Sequence, residues 1–388
     1  MSAAVSPRAR ILVLTYTPID REPRALKQIR HFQHHADVTT AGFGPAPVED
    51  VPHIELDASP PVRGIMRIPG AYTGLLGLRL YRWFDHVKPR NVAAFTRLSG
   101  HEWDVIIAHD VQTLALARAL SPRKGILVDL HEYAPRQNEN SILWRMLIAP
   151  YFRWICRVQV PEAAAVTTVG QGIVDEYRRR FGFESTLVVN ATPFQALEPG
   201  EVSVPIRLVH SGIPAPARKL EVMIEAVKAT STPVTLDLFL IKDGSEYYQQ
   251  LLDLAGDDDR IQFREPVPYA DLVRTLNGYD VGLSVIAPTT FNLAWCLPNK
   301  FFDFIQARLG VIVGPSPEMV RFVEQYGIGA VADDFSAAAL SRVLDSLTPQ
   351  KVAEWKEASH RNARELSSEE QVKVWGAEVD SILEHARR

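Results

Sequence analysis

The chain has 388 residues, 46% of them apolar, with 42 Lys and Arg against 46 Asp and Glu. That length holds two or three domains, each able to close its own core, and 22 Gly with 27 Pro indicates neither a fibrous repeat nor a disordered chain. Cys156 and Cys296 form no CxxC pair, which excludes a disulfide framework or a structural zinc site and points to a reducing cytosol. The net charge of −4 divides unevenly: residues 1–200 carry 23 basic and 19 acidic groups, the remainder 19 and 27. No part is basic enough to suggest a nucleic-acid partner.

In chain order, residues 11–17 read as a strand, too short and too interrupted by Thr15 for a secretory signal. Residues 23–35 read as a helix with Ala25, Leu26, Ile29 and Phe32 inward and Lys27 and Arg30 outward. His31, His34 and His35 resemble a ligand cluster, but no Cys or regularly spaced acid accompanies them, and they read as a solvated helix end. Strands follow at 38–42, 105–108, 126–129 and 165–169, apolar on both faces, as in a parallel sheet covered by helices. Residues 190–205 lack periodicity and mark a boundary.

Beyond it, strands at 206–210, 235–240, 261–264, 281–285 and 311–313 alternate with helices that begin near Arg218, Ser245, Tyr269, Lys300 and Pro317. The longest charge-free run, 281–299, contains Pro288, Pro298, Asn292 and Asn299, so no membrane-spanning helix is expected. Helices over 340–347, 351–366 and 369–385 close the chain, the last with an apolar stripe of Val372, Trp375, Val379, Ile382 and Leu383. The pattern is α/β: two doubly wound, Rossmann-like domains whose ligands bind beyond the carboxyl ends of the strands.

The common phosphate motifs are missing. There is no GxxxxGK[ST] and no GxGxxG, since Gly42-Phe43-Gly44 runs into Pro-Ala-Pro. The richest stretch is 280–314. Pro298 suits a first helical turn, Asn299 and Lys300 follow at the positive helix end where a diphosphate is favoured, and Asp303 lies a turn on, within reach of a ribose diol. The plain alternative is a core helix with Lys300 solvated and Asp303 complementing the helix dipole. The residues alone leave both open.

Residues 280–314 resemble the donor-site segment of GT-B glycosyltransferases, in particular the retaining, family-4-like group. His210-Ser211-Gly212, Arg218-Lys219-Leu220 and Ile224-Glu225-Ala226 are similar to that group's phosphate loop and following helix. Glu22-Pro23-Arg24 resembles the acidic-Pro-Arg element of one subgroup. His109-Asp110 and Asp129-Leu130-His131-Glu132 resemble its two strand-end histidine motifs, and Val188-Val189-Asn190 its segment closing the first domain. The sequence departs from the pattern at Trp295, where many members carry the first of two acids, at Ile213, where an Arg often follows the loop glycine, and at Thr17-Pro18-Ile19-Asp20, which replaces a glycine-rich loop.

The resemblance implies an acceptor-binding domain over 1–196, a nucleotide-sugar-binding domain over 197–368 and a helix, 369–388, crossing back to the first. It implies sugar transfer from a nucleotide-diphosphate donor to a hydroxyl of a carbohydrate, lipid-linked or small-molecule acceptor, with retention and with no metal or cofactor. Arg218 and Lys300 would stabilise the leaving diphosphate together with Ser211, Gly212, Asn299 and Asp303, and His131 would face the reacting sugar. Glu22, Arg24 and His109 fall on the acceptor side. Two alternatives stand beside it: a nucleotide-sugar 2-epimerase of the same fold, which Trp295 deprives of a carboxylate, and a nucleotide-sugar-binding subunit without turnover. Two basic, aromatic stretches, 63–97 and 144–157, suit peripheral contact with the inner membrane face, steering of a phosphate-bearing acceptor, or packing on the sheet with the helix broken at Pro150.

Overall fold

The computed structural model describes residues 8–385. The described residues up to Val188, with those from Val372 onward, form one compact unit, and Val189–Gln371 form a second. The first contains strands β1 (Arg10–Pro18), β2 (Asp37–Phe43), β3 (His53–Glu55), β4 (Val105–His109), β5 (Gly125–Leu130), β6 (Ala165–Thr168) and β7 (Thr186–Leu187). All pair in parallel, in the order β3-β2-β1-β4-β5-β6-β7. The order reverses at β1 and β4, which makes the carboxyl ends there the ligand-binding edge of such a sheet. β4, Val-Ile-Ile-Ala-His, is buried along its whole length, as its unbroken apolar run requires.

Helix Pro23–Phe32 starts on a proline, whose fixed φ suits the first turn. Its buried face carries Arg24 and Gln28 as well as Ala25, Ile29 and Phe32, while Leu26 is only half-buried. His31 is not solvated as expected: its ring lies against Gly376, where a Cβ would come within 2.9 Å of Nε2, and burial lowers its pKa. Gly376 belongs to the last helix, Ser368–His385. Trp375, Val379 and Ile382 of that helix join Ile11, Val13, Val105, Ile107 and Leu127 in one core, and the Trp375 indole N–H donates to Thr167 Oγ1 at 3.3 Å. Nor does Pro150 break its helix. Trp144–Ile148 forms a wide-pitched turn that leads directly into Ala149–Val158, with the proline in the first turn of the latter.

The second unit contains β8 (Ile206–Gly212), β9 (Val234–Leu240), β10 (Ile261–Arg264), β11 (Val281–Ser284), β12 (Gly310–Val313) and β13 (Gly329–Val331), parallel in the order β10-β9-β8-β11-β12-β13. Its reversal point lies between β8 and β11. Helix Asn299–Gln306 packs so closely on β11 that a Cβ on Gly282 would fall 2.3 Å from the Phe304 ring. Residues 189–196 belong to this unit, so the chain changes unit before the expected 196/197. Thr192 donates to Asp303 at 2.6 Å, the Gln195 N–H donates to Gln306 Oε1, and the Phe194 ring lies 4.0 Å from the Arg364 guanidinium. The helix expected near Arg218 begins at Glu221; Arg218 ends a single short turn, Pro216–Arg218, ahead of it. Among the described residues, no helix is long and apolar enough to cross a membrane.

Candidate functional site

In the second unit, β8 runs out into Ser211 and Gly212. Gly212 has φ +146°, and a Cβ there would stand 2.9 Å from Lys300 Nζ and 3.2 Å from Arg218 Nη1. A side chain would occupy the space in which the two cations meet, so the glycine is what lets them converge on the strand end. Lys300 is 8% exposed, not solvated. Its Nζ lies 3.0 Å from His210 Nε2, and His210 Nδ1 donates to the Leu283 carbonyl at 2.8 Å, which leaves Nε2 as the acceptor. Burial, with the Arg218 charge beside it, pulls the lysine down to about 7, against the opposing pull of Asp303. Burial also lifts the neighbouring Cys296 thiol to about 11, although Arg218 and Lys300 act the other way.

Among the described residues, neither Arg218 nor Lys300 is ion-paired to a carboxylate. Asn299, exposed, opens the helix that carries Lys300, with Pro298 at its cap position and no side-chain cap. The two cations thus meet at a glycine strand end beside an uncapped helix N-terminus, an arrangement whose charge and free N–H groups favour an anion.

Asp303 is differently disposed from the ribose-facing acid expected of it. It is 3% exposed, its Oδ1 accepts from Thr192, and the Tyr269 hydroxyl, itself raised to about 12 by burial and by Asp303, bonds to it as well. The carboxylate fastens residues 189–196 to the helix. Trp295 ends the short helix Phe291–Ala294, its ring 6.4 Å from that of Phe291. Exposed Ile213 offers only its carbonyl to Arg218, at 3.5 Å. Beside this loop lies a hollow of about 530 Å³ whose polar lining is Asp243, Ser245, Glu246, Tyr247 and Gln250, none of them signalled by a motif.

The first unit gathers the other candidates at the ends of β4 and β5. Asp129 is fully buried and accepts from Arg24 Nη2 at 2.6 Å, Arg24 Nε at 3.0 Å, Gln28 Nε2 at 2.9 Å and Thr167 Oγ1 at 2.7 Å. Burial would push this carboxyl up, but the guanidinium holds it well below the usual carboxylate range. Arg24 also donates to the Val188 carbonyl at 2.8 Å and lies 4.8 Å from the centre of the Trp375 ring. At 3% exposure it is a buried strut, which corrects its placement on an acceptor-facing surface.

In front of the strut stand the two histidines, with His109 Nδ1 2.8 Å from His131 Nε2. Burial and His131 lower His109 to about 3, so it is neutral, and its Nε2 is buried without a partner. Leaving a bare lone pair there is less costly than leaving an N–H, which puts the His109 proton on Nδ1, donating to His131. His131, accepting at Nε2, then carries a proton on Nδ1, which lies 3.8 Å from Glu22 Oε1 and 3.7 Å from Asp110 Oδ2. Its backbone N–H donates to Asp110 Oδ1 at 3.0 Å. Glu132, next in sequence, is pushed up to about 7 by burial and by Asp110, which makes it an acid or base near neutrality that its place in a motif did not single out. His109, Asp129 and His131 offer three metal-ligand atoms within 4.8 Å of one another, but Arg24, Gln28 and Thr167 already occupy both Asp129 oxygens.

No family model and no curated protein matches the sequence. Solved structures match it along nearly its whole length. HepE of Anabaena in complex with UDP superposes with a TM-score of 0.70 at 12% identity, covering 96% of this chain and 100% of that one. Sucrose-phosphate synthase of Thermosynechococcus elongatus gives 0.70 at 12%, over 95% and 98%. A glycosyltransferase of Rickettsia africae gives 0.66 at 12%, over 97% and 99%. The fold is GT-B. At such identities the likeness is one of backbone architecture, and the chemistry rests on the residues described above.

Proposed function

We propose that the chain is a glycosyltransferase that moves a sugar from a nucleoside diphosphate to a hydroxyl of its acceptor, with retention. The observation that carries this is the convergence of Arg218 and Lys300 on Gly212, neither of them ion-paired to a carboxylate among the described residues. Negative charge grows on the departing diphosphate as the glycosidic bond breaks, and cations and helix-end N–H groups fixed beforehand stabilise it without reorganisation. Arg218, Lys300 and the N–H groups at Asn299 take that part, so the step is assigned no metal. In the first unit, the His131 Nδ1–H and the near-neutral Glu132 are the groups that meet sugar hydroxyls. The HepE structures hold UDP and UDP-glucose, so uridine heads the bases to be tried.

The test is a thermal-shift panel of UDP, GDP, dTDP and ADP. One nucleotide at about 100 times its Kd adds about 2.7 kcal/mol of stability to the wild type. Arg218→Ala loses most of that shift, whereas His131→Ala keeps it and loses turnover. Equal loss of binding in both variants contradicts the assignment. A second reading, a nucleotide-sugar-binding subunit without turnover, is favoured by Trp295 in place of an acid and by the internal bonds of Asp303. Transfer of labelled sugar, or its absence despite binding, separates the two.

A further inference from the structure

We propose that the helical layer formed by residues 62–98 and 142–158 of the first unit is a docking surface for an anionic lipid bilayer. Of the fifteen large hydrophobic residues exposed among those described, eleven lie between Val62 and Met146, all on this layer. Its aromatic rings are largely used inside: Tyr72 meets Phe84 edge-on at 4.9 Å, and Tyr81 packs on Tyr151 and Trp154 at 5.5 Å. What remains outward is chiefly aliphatic, with Leu78 73%, Met146 69%, Leu143 67% and Ile142 65% exposed, and Trp83 46%. Helices Ala71–Gly77 and Tyr81–Val87 are joined by a turn reading Leu78-Arg79-Leu80, in which Arg79 adopts a left-handed φ of +58°. Helix Ala71–Gly77 also packs against the turn Trp144–Ile148, so the two stretches form one layer.

The charge on this layer decides what covers it. Arg63, Arg67, Arg79, Arg82 and Arg97 are all exposed, and among the described residues none pairs with a carboxylate. Asp85, the lone acid of 63–97, is turned inward to Tyr151 and Gln159. Unpaired arginines interleaved with exposed aliphatic side chains match a surface that is anionic at the headgroups and apolar just below them. A nucleic acid answers only the charge, and an apolar partner face answers only the leucines. Among the described residues no helix is long and apolar enough to span, so the layer is proposed to rest on the bilayer surface.

The experiment is co-sedimentation of the full chain with vesicles of pure phosphatidylcholine and of equal parts phosphatidylcholine and phosphatidylglycerol. The wild type pellets with the mixed vesicles in low salt, is released by high salt and stays largely free of the neutral ones. The double variant Arg79→Gln/Arg82→Gln partitions about 30-fold less. Leu78→Ser/Met146→Ser also loses binding, while Val204→Ser, a 78% exposed apolar position of the second unit, does not. Brominated phosphatidylglycerol quenches the wild type more than Trp83→Phe, which tests the same face without touching its aliphatic residues. Equal partitioning on both vesicle types, or in all variants, overturns the proposal. So does a soluble dimer that Leu78→Ser/Met146→Ser dissociates, since a second copy would then be the occupant.

Discussion

Lys300 and Arg24 are two cations that the chain buries for opposite ends. Lys300 sits at about 7 because burial and Arg218 oppose its charge, and a bound diphosphate reverses that balance. The protonated lysine is the form that binds, so donor affinity falls as pH rises above 7, by up to about tenfold per unit. Calorimetric titration between pH 7 and 9 reads this directly, in a window above the titration of a terminal phosphate near 6. Lys300→Arg, charged throughout, flattens the profile; a wild-type profile already flat there contradicts the role given to Lys300. Arg24 instead neutralises Asp129. Arg24→Met leaves that carboxylate buried and unpaired and destabilises the first unit by about 3–5 kcal/mol in urea unfolding. Since the folded Asp129 lies below its ordinary range, the pair's contribution is present at neutral pH and is lost only as pH falls through that depressed value. Unchanged stability with a raised acceptor KM would return Arg24 to the acceptor surface.

Among the elements, the long interior strands were legible because both of their faces are apolar. β3, β7 and β13 were not: they are two- or three-residue edge strands, half-buried, with no run to read. Helix Asn299–Gln306 was placed almost to the residue by Pro298, yet the burial of Lys300 within it was not legible, because only the approach of β8, some ninety positions earlier, covers it. For the same reason Arg24 read as a surface group; its partner Asp129 lies on β5, far along the chain from helix Pro23–Phe32. The loop-to-strand element around Gly212 carries its own test. Gly212→Ala strains a φ of +146° and pushes Lys300 and Arg218 apart, and nucleotide affinity drops at least about tenfold by calorimetry. The fold survives, because the new Cβ meets only the ends of two flexible side chains, Lys300 and Arg218. Unaltered affinity would move the anion elsewhere.

At the scale of the molecule, the two units differ in how the chain supplies them. Val189–Gln371 is one uninterrupted stretch, whereas the first unit draws on both the N-terminal part and the residues from Val372 onward. Ending the chain after Gln371 removes Trp375, Val379 and Ile382 from the core of β1, β4 and β5. The expected result is a first unit that is digested rapidly by protease while the second resists, and equal resistance of both units would show that the last helix is dispensable.

That same arrangement sets an order of events during synthesis. On the ribosome the strands of the first unit emerge well ahead of Trp375, the residue that seals their core. The later stretch emerges with every strand of its own sheet and can settle first, although domains commonly fold in the order in which they are made. Until Trp375, Val379 and Ile382 have emerged, Ile11, Val13, Val105 and Ile107 lack the helix that covers them, and a nascent chain stalled before Val372 is the species that a chaperone would have to hold.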